Sequence, residues 1–163
     1  MRKLAEKVGC SHANLYLHFK DKEALFECLV DEGFQQLADG LGKVPESAKQ
    51  ADPVAFLRKA GRAYVEFGVA NASVYEFVFI LRRPEPKRPY KPHVAYERMR
   101  TLVQRCIDEK RFRRMNVDAA SQALWAAAHG ITSLLILRPA FPWADREKLV
   151  GQVIDAAVDG LLA

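Results

Sequence analysis

Amide, phenol, imidazole and ammonium side chains lie close together in the first 22 residues. Leu4–Val8 and His12–Phe19 carry apolar residues at helical spacing, and Gly9 lies between them. This pattern predicts a helix, a glycine turn and a second helix. In a helix-turn-helix the second helix enters the major groove of DNA. There Asn14 can hydrogen-bond adenine, and Leu17 can contact a thymine methyl group.

Four more residues complete the predicted DNA-contact set. Tyr16 and Lys22 suit phosphate oxygens, which position the helix without reading the base sequence. Ala13 is small enough to let the helix approach the groove, and His12 lies at the margin of the same face. An ordinary helical hairpin is the alternative, because glycine turns between short helices are common. The predicted set is His12, Ala13, Asn14, Tyr16, Leu17 and Lys22.

Apolar packing must hold this second helix in place. Leu15 and Phe19 share its opposite face, and we expect them to pack on Leu4 and Val8 of the first helix. Ser11 is a good N-cap for the second helix, and Asp21 is a good N-cap for the long helix that follows.

The remainder of the chain is also helical in its pattern. The 163 residues are 50% hydrophobic, which is enough for a packed core. Val74–Leu81 by its periodicity also suits a strand, but no partner strand is visible. We therefore predict an all-α fold of about eight helices. After the helix-turn-helix, the helices are Asp21–Leu41, one that begins at Asp52-Pro53, His93–Lys110, Asp118–Leu137 and Asp145–Leu162, with loops up to Gln50 and over Arg82–Pro92.

Charge is unevenly distributed around a net value of +5. Met1–Lys22 contains five basic residues and two acids, and Arg82–Arg114 contains twelve basic residues and four acids. The basic start suits a phosphate backbone. The basic middle suits an acidic ligand, an auxiliary phosphate contact or a solvated surface, and its proline-rich composition favours the solvated surface.

The N-terminal motif resembles the DNA-binding signature of TetR-family transcriptional repressors. The resemblance covers about 40 residues and lies in Leu4-Ala5, Val8-Gly9, Ser11, Leu15-Tyr16, His18-Phe19 and Lys22-Glu23-Ala24-Leu25-Phe26. It implies a homodimeric repressor that binds a double-stranded DNA operator. It also implies phosphate contacts at Tyr16 and Lys22 and base contacts from His12, Ala13, Asn14 and Leu17.

The same resemblance implies a division into two domains. Residues 1–43 would hold the helix-turn-helix and its connecting helix, and residues 44–163 the ligand-binding and dimerisation domain. Family members usually carry a helix before the helix-turn-helix pair, and we expect this chain to lack it. Trp125 and His129-Gly130 resemble the Trp-His-Gly feature of one subgroup of TetR C-terminal domains.

Aromatic residues in the central helices form the predicted ligand site. Such a set suits a small apolar or aromatic inducer, and the basic middle segment leaves room for an inducer with an acidic group as a second choice. The alternative is that these side chains are ordinary core, with His129 a hydrogen-bonded core histidine. The predicted set is Tyr64, Phe67, Phe79, Met99, Trp125 and His129.

Small and apolar residues in the last two helices predict a homodimer built through a four-helix bundle. They are Ala126, Ala127, Ile131, Leu134 and Leu135, with Leu149, Val153, Ala156, Ala157 and Gly160. The alternative is that these residues are intramolecular core.

Several protein classes are disfavoured by what the sequence lacks. It has no metal-ligand cluster, glycine-rich phosphate loop or nucleophile elbow, so we predict no enzyme activity, no metal and no cofactor. No stretch approaches 18 uninterrupted apolar residues, and no secretory signal precedes the first helix, so we expect no membrane partner and a cytoplasmic location. Two alternatives stay open: a small-molecule-binding or dimerisation module that has lost DNA binding, and a helical cofactor-binding protein using His93 or His129.

Overall fold

The computed structural model describes residues 1–42, 52–81 and 92–163, and these ranges are helical throughout their regular structure. They confirm the predicted all-α fold. The loops predicted up to Gln50 and over Arg82–Pro92 lie mostly outside the described residues. Eight α-helices are described: α1 (Arg2–Val8), α2 (His12–His18), α3 (Lys22–Gly42), α4 (Pro53–Ala70), α5 (Ala72–Tyr75), α6 (Val94–Asp108), α7 (Val117–Leu137) and α8 (Arg146–Asp159).

Side-chain caps begin the helices where the sequence predicts. Ser11 Oγ accepts a hydrogen bond from the Asn14 N–H at 3.0 Å, and Asp21 Oδ1 accepts one from the Ala24 N–H at 2.7 Å. These bonds satisfy backbone donors that the first turn of a helix leaves free. Between α1 and α2, Gly9 adopts a left-handed φ of 76°, which a residue without a side chain adopts at little cost.

The apolar segment after α5 is a π-helical turn, Glu76–Ile80, and not a strand. Together with α5 it forms one short helical unit that packs against both α3 and α4. Its buried Val78 lies against Gly33 of α3, where an added Cβ would come within 2.4 Å of Val78 Cγ2. Contacts on more than one side explain why the segment lacks the single apolar face of an amphipathic helix.

α4 lies at the centre of the larger helical unit and packs against α7, α8 and α6. One buried cluster joins it to α7 and α8 through residues such as Val65, Ile131 and Ile154, and a second includes Leu57 and Val103. The close crossing of α4 and α7 depends on Gly68, because an added Cβ would come within 2.4 Å of Thr132 Cγ2.

α7 is the most apolar long helix among the described residues. It is 21 residues long and contains a stretch with a mean hydropathy of 1.3, so by length and composition alone it is able to cross a membrane. One face nevertheless packs on α4, α6 and α8 and includes the buried polar residues Ser121 and Thr132. These contacts make α7 a core helix of the C-terminal unit.

The packing of α1 differs in one respect from expectation. Ala5 is its buried residue, whereas Val8 is 65% exposed, so the prediction that Val8 packs beneath α2 is wrong. Ala5 follows Leu4 directly and its small side chain permits the close approach of α2. The predicted domain boundary after residue 43 falls within residues 43–51, outside the described residues, and stays a prediction.

Candidate functional site

The residues predicted to contact DNA form one exposed surface on α2 and the start of α3. His12, Ala13, Asn14 and Tyr16 are all exposed, and Leu17 at 81% is the most exposed large apolar side chain described. Lys22, the first residue of α3, is exposed beside them. The opposite face holds Leu15 and Phe19, which are partly buried. The arrangement leaves this face of α2, which mixes polar and apolar side chains, accessible to a large partner.

Positive charge surrounds this surface. The basic side chains of the first 22 residues are exposed, so their charges face solvent rather than a protein interior. Basic residues at such a surface raise the local concentration of a polyanion such as DNA. The exposed basic residues of this region are Arg2, Lys3, Lys7, Lys20 and Lys22.

A cavity of about 1100 Å³ lies within the helices that follow. α3, α4, α6, α7, α8 and the π-helical turn all contribute to its wall. Four of the six residues predicted to bind a ligand line it: Tyr64, Phe79, Met99 and Trp125. The volume is slightly above the range typical of small-molecule sites, which is roughly 300–1,000 Å³.

Phe67 and His129, the other two predicted ligand residues, are not part of the described wall. Phe67 packs between α4 and α3, where an added Cβ on Gly40 would come within 3.1 Å of its ring. The His129 ring lies behind the wall, with its centroid 5.5 Å from that of Phe79 and 5.9 Å from that of Trp125. Ligand contact by these two residues stays a prediction.

A chain of hydrogen bonds connects the cavity wall to His129. Trp125 Nε1–H donates to the Tyr64 hydroxyl at 3.3 Å, and that hydroxyl is 3.0 Å from the Tyr75 hydroxyl. The Tyr75 hydroxyl is 2.6 Å from His129 Nδ1, and His129 Nε2 is 3.3 Å from Ser133 Oγ. The chain gives each of these partly or fully buried polar groups a partner, which avoids the cost of leaving it unsatisfied.

Burial keeps the ionisable side chains joined by these hydrogen bonds, His129, Tyr64 and Tyr75, uncharged near neutral pH. It lowers the pKa of His129 below its ordinary value of 6.5 because the imidazolium form loses hydration. It raises the pKa of Tyr64 and Tyr75 for the same reason, since the phenolate form loses hydration. These hydrogen-bonded groups are therefore suited to holding side chains in place and to hydrogen bonding.

Sequence reasoning missed two contributions to the cavity region. Tyr75 lies in the segment whose periodicity is also compatible with a strand, so its pairing with Tyr64 and His129 has no local signal. Phe34 and Leu37 of α3 also line the cavity, and their signal is the apolar stripe of that helix.

The π-helical turn lies between the cavity and the helix that follows α2. Phe79 lines the cavity, and its ring centroid is 5.2 Å from that of Phe34. Two residues earlier, the Phe77 ring contacts Phe26 near the start of α3, with 4.6 Å between centroids. A change at the cavity wall thus has a short physical route to the N-terminal part of α3.

Metal binding gains no support from the geometry. Within residues 1–42, 52–81 and 92–163, no three His, Cys, Asp or Glu side chains are grouped as metal ligands. The cysteines Cys10, Cys28 and Cys106 are unpaired.

Similar folds are found among solved structures. A protein of unknown function from Rhodococcus sp. RHA1 is 22% identical, with a TM-score of 0.78 over 99% of this chain and 84% of that one. The TetR family transcriptional regulator PfmR from Thermus thermophilus is 22% identical, with a TM-score of 0.68 over 99% and 88%. A putative transcription regulator from Lactobacillus plantarum is 18% identical, with a TM-score of 0.65 over 98% and 85%.

Family comparison covers most of the sequence. Residues 1–29 match "Bacterial regulatory proteins, tetR family", and residues 57–158 match "Tetracyclin repressor-like, C-terminal domain". No curated protein matches the chain. Since the two matches include both the exposed helix α2 and most of the cavity wall, the chain belongs to the TetR family of DNA-binding transcription regulators.

Proposed function

We propose that this protein is a ligand-responsive repressor, released from a palindromic DNA operator when a small apolar or aromatic molecule enters the cavity. His12, Ala13, Asn14 and Leu17 would face base pairs, and Tyr16 and Lys22 would contact phosphates. Exposure of all six residues supports this assignment. Residues 1–43 would act as the DNA-binding domain and residues 44–163 as the ligand-binding and dimerisation domain, in the cytoplasm.

The observation that carries the proposal is the contact between the π-helical turn and α3. A ligand changes DNA affinity only if it binds one conformation better than the other. Phe79 faces the cavity and Phe77 contacts Phe26 of α3. A ligand that displaces Phe79 would therefore also displace α3, the helix that follows α2. The resulting movement would change the distance between the two recognition helices of a dimer.

The predicted dimer gains support from an exposed stripe on α7. Ala123, Leu134 and Leu137 are exposed, with Leu134 at 49%, and the half-buried Ala127 and Gly130 lie between them at helical spacing. An added Cβ at Gly130 meets nothing within 4 Å, although glycine inside a helix costs roughly 0.5–1 kcal/mol relative to alanine. Close packing against α7 and α8 of a second copy would explain why position 130 is a glycine.

Several residues predicted for the dimer have other roles within the protomer. Ile131 is buried in the core, and Ala157 packs in the second cluster and lines the cavity. Leu134, Ala156 and Gly160 are exposed and stay candidates for the interface.

The chain of hydrogen bonds behind the cavity supports the proposed membership of the Trp-His-Gly subgroup. Trp125 and His129 are one helical turn apart, and Tyr64 and Tyr75 connect them. In this interpretation the motif positions the cavity wall, and Gly130 permits close packing of α7.

A selection from fragmented genomic DNA tests the DNA half of the proposal. We expect enrichment of a palindromic site whose half-sites lie about one helical turn (~34–36 Å) apart, because each recognition helix reads one half-site. A dimer that enriches no sequence would instead support a ligand-binding or dimerisation module that has lost DNA binding.

A further inference from the structure

The cavity wall is apolar inside and cationic at its mouth. Leu37, Leu57 and Ala128 are buried in its interior, whereas Arg98, Thr101 and Gln122 are exposed where it opens. Within the described residues, the wall contains no aspartate or glutamate. A ligand that fills it therefore meets apolar carbon at one end and positive charge with hydrogen-bond donors at the other.

Arg98 differs from the other arginines of α4 and α6. Arg58 and Arg62 pair with Asp155 of α8, Arg100 pairs with Asp118, and Arg105 pairs with Glu109. Arg98 has no carboxylate within ion-pair distance among the described residues. Its guanidinium keeps its donors for solvent or for a bound anion.

A second arginine on the same face of α6 adds positive charge near Arg98. Arg98 and Arg105 are two turns apart on one helical face, with Leu102 between them, and all three line the cavity. Arg105 is already paired with Glu109, so it contributes less net charge than Arg98. His93 at the start of α6 is neutral near pH 7, because burial lowers its pKa more than nearby Asp31 raises it.

We propose that the natural ligand is an amphipathic carboxylate, with an apolar body in the cavity and its carboxylate at Arg98. This inference rests on the proposed ligand function of the cavity and names the class of ligand. It also changes the order of preference that follows from the sequence, in which an uncharged apolar or aromatic molecule comes first.

Solvent access favours this placement of the carboxylate. Burying an isolated charge is costly, but Arg98 is exposed, so a carboxylate beside it keeps much of its hydration. A guanidinium binds a carboxylate with two parallel hydrogen bonds, which a lysine or an alcohol cannot reproduce. The apolar body supplies most of the affinity by leaving water, and Arg98 supplies the preference for an anion.

Three probes with the same ten-carbon chain separate charge from apolar binding: decanoate, decanol and decylamine, each below its micellar concentration. We expect calorimetric titration of the full chain to give tightest binding for decanoate. Arg98→Ala should weaken decanoate binding by about five- to tenfold, the range typical of a partly solvated charged hydrogen bond, and leave decanol binding unchanged. Arg98→Glu should reverse the preference in favour of decylamine.

Arg114→Ala is the matched control, because Arg114 is exposed and lies outside the cavity wall. Equal binding of decanoate and decanol, or an equal loss for Arg98→Ala and Arg114→Ala, would overturn the assignment of a carboxylate while leaving the cavity a ligand site. Absence of binding by all three probes would contradict both this inference and the proposed ligand function.

Discussion

At the scale of single residues, we propose that the exposed face of α2 and the start of α3 carry two kinds of DNA contact, those to phosphates and those to bases. Asn14 and Lys22 are both exposed, but one carries an amide suited to adenine and the other a charge suited to phosphate. Lys22→Ala should weaken binding to every DNA sequence about equally. It should also make the DNA affinity less dependent on salt concentration, by the amount expected for the loss of one phosphate contact.

Asn14→Ala should instead change preference at particular base pairs, by about 1–3 kcal/mol. Binding of operator and scrambled DNA at several salt concentrations distinguishes the two effects. Lys59→Ala, which removes an exposed charge from α4, is the control. The assignment fails if Asn14→Ala lowers affinity for operator and scrambled DNA to the same extent.

Tyr75 is the residue on which the hydrogen bonds behind the cavity depend. Tyr75→Phe removes the hydroxyl that joins Tyr64 to His129 and leaves both side chains without that partner. We expect the free energy of unfolding to fall by about 1–3 kcal/mol. Urea denaturation measures this loss.

Tyr96→Phe is the matched control for this substitution. Tyr96 also lines the cavity, but its hydroxyl makes no hydrogen bond to the residues that the structure describes. Its removal should leave stability nearly unchanged. Equal stability of the two variants would show that the hydrogen bonds of the Tyr75 hydroxyl contribute nothing measurable to the free energy of unfolding.

At the scale of elements, the sequence predicts helix positions well and their mutual contacts less well. Caps such as Ser11 and Asp21 are local, so the sequence alone locates the starts of α2 and α3. The π-helical turn depends on Gly33 of α3, far away in sequence, and no local pattern reveals that contact. His129 likewise shares a helix face with Trp125, but its distance from the cavity depends on how α7 packs against Tyr75.

Glycines in two helices test how closely the elements pack. Gly68→Ala places a methyl group within 2.4 Å of Thr132 Cγ2 and 2.9 Å of the Tyr75 ring, so α4 and α7 must separate. Overpacking of this kind costs about 1–3 kcal/mol. In Gly151→Ala the added Cβ lies 3.7 Å from the flexible Arg62 guanidinium, and the better helix former should leave stability equal or raise it by up to about 1 kcal/mol. Thermal unfolding of both variants would refute the close crossing if Gly68→Ala proved no less stable than Gly151→Ala.

At the scale of the whole molecule, we propose that DNA recognition requires two copies of the chain, because each recognition helix reads one half-site. The exposed stripe on α7 is the surface that we assign to the interface, and Leu134 lies within it. Leu134→Glu should convert a dimer to a monomer, because burying an unpaired carboxylate opposes association. Light scattering after size-exclusion chromatography measures the mass.

Val94→Glu serves as the control for the dimer, since Val94 is 43% exposed at the start of α6 and lies away from that stripe. A wild-type protein that is already monomeric at micromolar concentration would contradict the proposed interface. A Leu134→Glu variant that stays dimeric would place the interface elsewhere.

The most direct test of the account is the affinity for the selected operator measured with and without a ligand bound in the cavity. Fluorescence anisotropy with labelled operator DNA gives both values, once calorimetry has established saturating ligand. The route through Phe79, Phe77 and Phe26 predicts a loss of about 5–150-fold, which corresponds to a typical coupling of 1–3 kcal/mol between sites. Operator affinity that is the same in the presence of saturating ligand would contradict the central claim that the cavity controls DNA binding.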